Sequence, residues 1–426
     1  MNYLEFSNLI FESFNLLVLS LFACLLIYIP IIRKRNIALF SPFILVFYNS
    51  ITASAIFLFL TITKIVDFSD FLYYLAAEIL FYYGFCTKLP PLKIRKEISR
   101  KIYFLDESFS YVFFISIFLL FLFNKILFYK IIGIPILFDS RNEVFTKGGG
   151  SGIIIRADTI FSCIITYYAT YFCFIKQKHK IFNSFVFIIY IITLVLSANK
   201  SGVIVFFCNV YAVLLLFSNY KKELLMKFNK KNKLLIFFSV IFLFLGFVIQ
   251  YRGNSLVDIV GKLFFRLLAQ GDAIFLGFPK QLYKKVTQDS FCSVFFSDLL
   301  VTFRITPYSF APKSIGQVLF SLATGNDYDS GSVTPHQLLG LIEFGKFGGM
   351  CFSFYLGVLM NFLHSNYKLT SNHILNLVKY FLFINAPFLN YAFFAFNVSI
   401  TSFILFTIPI LFIFVIFKYL KSDIEM

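Results

Sequence analysis

Residues 14–32 read FNLLVLSLFACLLIYIPII, an uncharged apolar run closed by Arg33-Lys34-Arg35. A helix rises about 1.5 Å per residue, so a run of this length crosses the roughly 30 Å hydrocarbon core of a bilayer. Comparable runs recur near 39–62, 71–87, 109–129, 157–175, 181–197, 203–218, 234–250, 347–363, 375–395 and 399–417. The expectation is an all-α integral membrane protein with about eleven transmembrane helices, a single polytopic domain over 1–426. Strands of outer-membrane barrels are about 10 residues long and alternate in polarity. No such alternation runs through the chain.

Composition agrees with that reading. The chain is 59% hydrophobic and 14% charged, with mean hydropathy +0.83. A soluble globular protein carries roughly a quarter charged residues, so a water-facing enzyme is excluded. Phe is abundant and Trp absent, which leaves Tyr to form the interfacial belts. The seven cysteines fall mostly inside apolar runs, so no disulfide framework is indicated.

A net charge of +17 invites a nucleic-acid partner, and position excludes one. The cations cluster in one set of links: Arg33 to Arg35, Lys88 to Lys101, KQKHK at 176–180, the Lys-rich 221–233, Lys368, and Lys418 with Lys421. Short loops rich in Lys and Arg stay on the cytoplasmic side. The N-terminus is then expected outside and the C-terminus inside. Glu5 and Glu12, not cations, precede the first run, so a cleavable signal peptide is not expected.

The opposite side carries two longer segments, 130–156 and 251–346. The second contains pieces such as GKLFFRLLAQGDAIFLGF and is expected to form short amphipathic helices on the bilayer surface or capping the bundle. Segment 130–156 holds Arg141, Lys147, Arg156, Asp139 and Glu143 around a Gly-Gly-Gly-Ser-Gly run at 148–152. Cations here run against the orientation bias, and successive glycines let backbone N–H groups approach an anion. The functional reading is an outward phosphate-binding loop; the alternative is a flexible turn with incidental charges. The nucleotide P-loop pattern is missing.

Segment 251–346 adds Arg252, Arg266, Asp272, Arg304 and His336. Arg266 lies in an apolar stretch and needs an anionic partner, either Asp272 or a ligand phosphate. His336 sits in TPHQLLGLIEFGKFGG, where the long loop re-enters the membrane. It is a candidate general base, or simply an interfacial histidine. Glu343, seven residues on, shares a helical face with it and is expected to orient the imidazole, to act as the base itself, or to pair with Lys346. Asp327-Tyr328-Asp329 spells a metal-binding DxD, but with no nucleotide-binding α/β domain it reads as a polar loop tip, and no metal or other cofactor is expected. Ser197 to Gly202, SANKSG, is a tight outer turn carrying Lys200.

Several outward cations with one base suit a donor whose leaving group is already a stable anion. A diphosphate needs only cations to hold its charge, and a hydroxyl acceptor needs one base. That chemistry is transfer from a lipid diphosphate at the membrane face.

The sequence resembles the O-antigen polymerases (Wzy, oligosaccharide repeat-unit polymerases). The resemblance rests on IGIPILFDSRNEVFTKGGGSG followed by Arg156, on SANKSG, on RLLAQGD and on TPHQLLGLIEFGKFGG, in that order, with a large late outer loop. Some members carry an Arg-x10-Gly pattern in two outer loops; Arg141 with Gly152 and Arg266 with Gly277 have that spacing. The resemblance implies a multi-pass inverting glycosyltransferase of GT-C-like architecture at the periplasmic face of the bacterial inner membrane. It would join undecaprenyl-diphosphate-linked repeat units in lipopolysaccharide biosynthesis, alongside a chain-length regulator and a flippase. By position, Arg141 and Arg156 would hold the diphosphate or its sugar, Arg252, Arg266 and Arg304 would complete the cationic site, and His336 would assist deprotonation of the acceptor, with Glu343, Asp139 or Asp272 as other bases. The rivals are an O-antigen ligase of the same architecture and a lipid-linked oligosaccharide carrier. A carrier places ionisable groups inside its spans, where this sequence has chiefly Glu78 and Lys379.

Overall fold

A computed structural model describes residues 2–88, 107–138, 152–199, 202–218, 222–250, 255, 261, 263–264, 268–286, 291–307, 310–325, 333–370 and 373–424. Among the described residues every regular element is helical. In chain order these are α1 (Tyr3–Glu12), α2 (Phe14–Lys34), α3 (Ile44–Ile62), α4 (Phe68–Cys86), α5 (Glu107–Ile131) and α6 (Gly152–Thr170). A π-helical turn, Tyr171–Lys176, extends α6. Then follow α7 (Lys180–Leu196), α8 (Gly202–Leu216), α9 (Lys222–Lys230) and α10 (Asn232–Gln250). Segment 251–346 contributes α11 (Asp272–Gly277), α12 (Phe291–Thr302) and α13 (Ile315–Thr324). The chain closes with α14 (His336–Ser365), α15 (His373–Asn385), α16 (Phe388–Tyr391) and α17 (Phe393–Ile424).

Each of the apolar runs read from the sequence is helical. Five stretches are long and apolar enough to cross a membrane: Phe14–Lys34, Ile44–Ile62, Ser110–Leu137, Gly152–Lys176 and His336–Ser365. Helix α2 shows why they belong in lipid. Leu17, Cys24 and Tyr28 are buried on one face, while Leu19, Phe22 and Leu26 on the other are more than half exposed. A helix that is apolar on its exposed face as well as its packed face is solvated by hydrocarbon. The chain is therefore a membrane-embedded, multi-pass helical protein.

Helix α14 is not one rod. Gly345 inside it has φ 67° and ψ −175°, a conformation that favours glycine. A Cβ built on Gly340 would stand 3.0 Å from the Gly349 Cα. Nine residues of straight helix would separate those atoms by about 13 Å, so the chain turns back at Gly345. Residues 336–344 form a short leg lying against the longer leg 346–365. The longer leg packs on α4 with almost no side chain between the two: a Cβ on Gly84 would lie 3.0 Å from the Val358 nitrogen, and one on Gly357 2.9 Å from the Phe85 nitrogen. Small residues allow this close approach of helices in membranes.

Two other segments leave regular helix within the bundle. The expected run 375–395 is divided by Ala386 and Pro387 into α15 and α16, and α16 ends at Ala392 with φ −151° and ψ 58°. The other is residues 268–286, within segment 251–346, which pack into the bundle: every residue of α11 is buried, Phe6 of α1 stacks on Phe275 at 4.0 Å, and Phe278 meets Phe57 of α3 at 4.5 Å. Amphipathic helix α9, in the Lys-rich 221–233 link, stays on the surface with no buried residue.

Candidate functional site

The short leg of α14 sets its first residues against the middle of α4. His336 is 1% exposed and Glu78 4% exposed. The imidazole Nε2 lies 3.9 Å from the Glu78 Oε2, and its ring stands 4.5 Å from the Phe81 ring. On its other side, Nδ1 is 3.2 Å from the Asn390 Nδ2. With the amide donating, Nδ1 is the acceptor and Nε2 carries the proton toward Glu78.

Glu78 is well supported as an acceptor. Tyr28 donates its hydroxyl to Oε1 at 2.6 Å, and Gln337 donates its amide to Oε2. Tyr28 also bonds Ser54 at 2.8 Å. The register of the short leg is fixed by Tyr73, whose hydroxyl donates to the Gln337 carbonyl at 2.8 Å. A helix start at membrane depth leaves backbone N–H groups unpaired, and these favour a nearby anion. The leg therefore brings an imidazole, an amide and a positive helix end to one carboxylate.

Beside this pair lies a narrow gap too small to hold a water molecule, lined among others by Asn49, Ser50, Tyr74, Gln270, Gln337 and Asn390. The Asn49 Oδ1, the Gln337 Oε1 and the His336 Nε2 are buried with no hydrogen-bond partner among the described residues. Buried polar atoms are normally satisfied; Asn49 and Gln337 line the gap, whereas His336 does not.

Glu343 lies elsewhere. Seven residues rise about 10 Å along a helix, which puts Glu343 near the turn at Gly345 and not beside His336. Among the described residues it has no hydrogen bond or ion pair. Nor does it pair with Lys346, whose Nζ lies 3.1 Å from the Asp70 Oδ1 and bonds Ser69. Asp70 also accepts from Tyr283 at 3.3 Å. Burial, then the Asp70 charge, push the Tyr283 hydroxyl up to about 12, so it remains a donor. These contacts clasp segment 279–285 to the start of α4.

Of the five candidate arginines, only Arg156 and Arg304 fall among the described residues. Arg156, in the first turns of α6, is paired with Asp298 of α12 at 2.5 Å and donates to Thr401 at 2.7 Å. Thr401 in turn donates to Asp298 at 2.6 Å. Arg304 is exposed beyond α12 at φ 57°. A Cβ added at Gly152, which opens α6, would meet open space, whereas one at Gly277 would meet Leu319 at 3.4 Å. Tyr3 donates to Asp272 at 2.6 Å. Arg141, Arg252, Arg266, Asp139, Lys147, Glu143, Lys200 and the DxD at 327–329 lie outside the described residues.

Three participants escaped the sequence reading as partners. Glu78 was noted only as a charge within a span. Asp298 was not singled out, nor was Lys125, which pairs with Asp158 at 3.0 Å and is itself buried. The available signal was the same for each: an ionisable residue inside an apolar stretch. Lys379, the other such residue noted, donates to the Lys368 carbonyl at 2.9 Å.

No family model, curated protein or solved structure matches the chain.

Proposed function

We propose that the protein is an O-antigen polymerase: a multi-pass glycosyltransferase of the bacterial inner membrane, N-terminus periplasmic, that joins undecaprenyl-diphosphate-linked oligosaccharide units. Its eleven helical runs would be the spans. The observation that supports this best is the buried Glu78–His336 pair, next to a gap lined by the unpaired amide oxygens of Asn49 and Gln337. Such a lining suits a sugar, which offers hydroxyls to both donors and acceptors. In the reaction the acceptor hydroxyl oxygen bonds to the donor's anomeric carbon, and the bond from that carbon to the diphosphate oxygen breaks. The electron pair leaves with the diphosphate, and the hydroxyl proton passes to the His336–Glu78 pair. General-base catalysis of this kind contributes about 10²–10⁴ in rate. The gap is too tight for a sugar as it stands, so the short leg must swing about Gly345 to admit one. Arg141, Arg252, Arg266 and Arg304 would hold the leaving diphosphate; Arg156 is engaged by Asp298 and would order the site from behind.

A carrier is the second reading. Discontinuous helices meeting at a buried carboxylate also build the sites of transporters, and the short leg, the α15–α16 break and Glu78 have that form.

The lipopolysaccharide ladder of a deletion strain separates them. A ladder reduced to core plus one unit, restored by the wild type but not by His336→Ala or Arg266→Ala at matched protein levels, supports polymerisation. Bare core with lipid-linked polymer accumulating outside indicates a ligase, and bare core with none outside indicates a carrier. An unchanged ladder rejects all three.

A further inference from the structure

The far end of the bundle carries a second polar site. A cleft of about 580 Å3 opens where the α2–α3 link, the end of α8 and the end of α14 converge. Its walls include Lys34, Arg35, Lys368, His364, Ser41 and Tyr211, and among the described residues no acidic side chain lines it. Small-molecule sites commonly have volumes of about 300–1,000 Å3.

Cations that only set orientation reach out to water, as the exposed Arg33 does. Arg35 behaves differently. Its Nη2 donates to Asn361, and its guanidinium carbon stands 4.8 Å from the centre of the Phe85 ring. The Arg35 Nε is buried with no hydrogen-bond partner among the described residues. The Ser41 hydroxyl is equally unpartnered, and Ser41 is only 3% exposed. Burial lowers the Arg35 guanidinium from its usual value, as expected of a cation short of a counter-charge. Lys34 and Lys368 make no side-chain hydrogen bond or ion pair among the described residues. Three cations, a buried hydroxyl without a partner and an enclosing cleft lack one component, which is an anion.

We propose that this cleft binds a phosphate-bearing head group, with Lys34, Arg35 and Lys368 supplying charge and Ser41 a hydroxyl donor. Basic pockets between helices at the Lys-rich face are where anionic head groups bind membrane proteins. The volume exceeds what a bare phosphate fills and suits a phosphate carrying its glycerol or sugar. That phosphate has two possible sources, an anionic phospholipid or a soluble phosphate ester. None of its lining residues lines the gap beside the Glu78–His336 pair, so it stands or falls independently of the glycosyl-transfer reading.

The test uses the purified full-length protein, native mass spectrometry and thermal unfolding, with phosphatidylglycerol, phosphatidylcholine and glycerol 3-phosphate as probes. Retention of phosphatidylglycerol but not phosphatidylcholine, with a raised Tm, is expected if the source is lipid. Equal stabilisation by millimolar glycerol 3-phosphate assigns a soluble source. The double variant Lys34→Gln/Lys368→Gln should bind the effective probe about tenfold more weakly, while Arg33→Gln should bind it as the wild type does. Both lysines project from the fold, so the double variant keeps its structure. The proposal is overturned if the two lipids bind alike and glycerol 3-phosphate has no effect, or if Arg33→Gln loses as much affinity as the double variant.

Discussion

The His336 Nε2 and the Glu78 Oε2 stand 3.9 Å apart at the centre of the helical bundle, brought together by a helical leg too short to cross it. The carboxylate already accepts from Tyr28 and Gln337, so it is ordered before any ligand arrives. The imidazole is held from its far side by Asn390. A group placed between them meets an ordered acceptor and an ordered proton carrier at once.

His336→Gln and Glu78→Gln should therefore each lower polymer formation by about 10²–10⁴-fold while leaving the amount of folded protein near wild type. Glutamine keeps the size and hydrogen-bonding character of each site. The check is polymer produced per unit of folded protein, with folding read by gel filtration. Full activity in both variants would remove the pair from the chemistry.

The hairpin at Gly345 should tolerate no side chain at its crossing point. A Cβ on Gly349 would lie 2.8 Å from the Gly340 carbonyl carbon, which is backbone and cannot turn aside. Gly349→Val should cost about 1–3 kcal/mol by overpacking. Gly345→Ala should cost a similar amount through its φ of 67° alone, since a Cβ there meets open space. Thermal unfolding of both variants tests this, and Gly152→Ala, which is also in open space but without the strained φ, is the unaffected comparison.

Arg156 and Asp298 should behave as a unit. Removing one partner of a buried ion pair strands the other and typically costs about 3–5 kcal/mol. Asp298→Ala should then be strongly destabilised, and Arg156→Met/Asp298→Leu should recover most of the loss. Recovery of stability without recovery of activity would show that Arg156 also touches substrate. Recovery of both would confine it to structure.

Lys346→Ala should matter much less. The side chain is half exposed where it meets Asp70, and such pairs contribute roughly 0–1 kcal/mol. Tyr283→Phe removes a buried donor from the same carboxylate and should destabilise more, by about 1–3 kcal/mol. Thermal unfolding of the two variants side by side reads the order.

The helices were legible because each apolar run states its own length and each basic link states where the run ends. Residues 14–32 with Arg33 to Arg35 needed no partner to be read. The site was only half legible. His336 stood out by its place in TPHQLLGLIEFGKFGG, but its neighbour was chosen along the same helix, where Glu343 follows the correct period. The actual neighbour comes from α4 because Gly345 reverses the chain. Gly340, Gly345, Gly348 and Gly349 crowd a stretch that otherwise reads as helix, and that crowding was the available sign of a turn. Asp298 was unreadable for a different reason: an ion pair across the chain leaves no local pattern.

The reversal at Gly345 also bears on how the protein is made. The leg 336–344 is too short to cross a bilayer and folds back against 346–365, so it adds no crossing of its own. Alone in hydrocarbon, its open N-terminal amides would have no partner. Its seat is completed by Asn390, which is synthesised after it. The leg therefore cannot settle in the order of translation. It must wait in the aqueous or interfacial layer until α15 and α16 have arrived, and the carboxylate of α4 waits with it. Truncation before α16 should leave the leg open to protease and to thiol labelling.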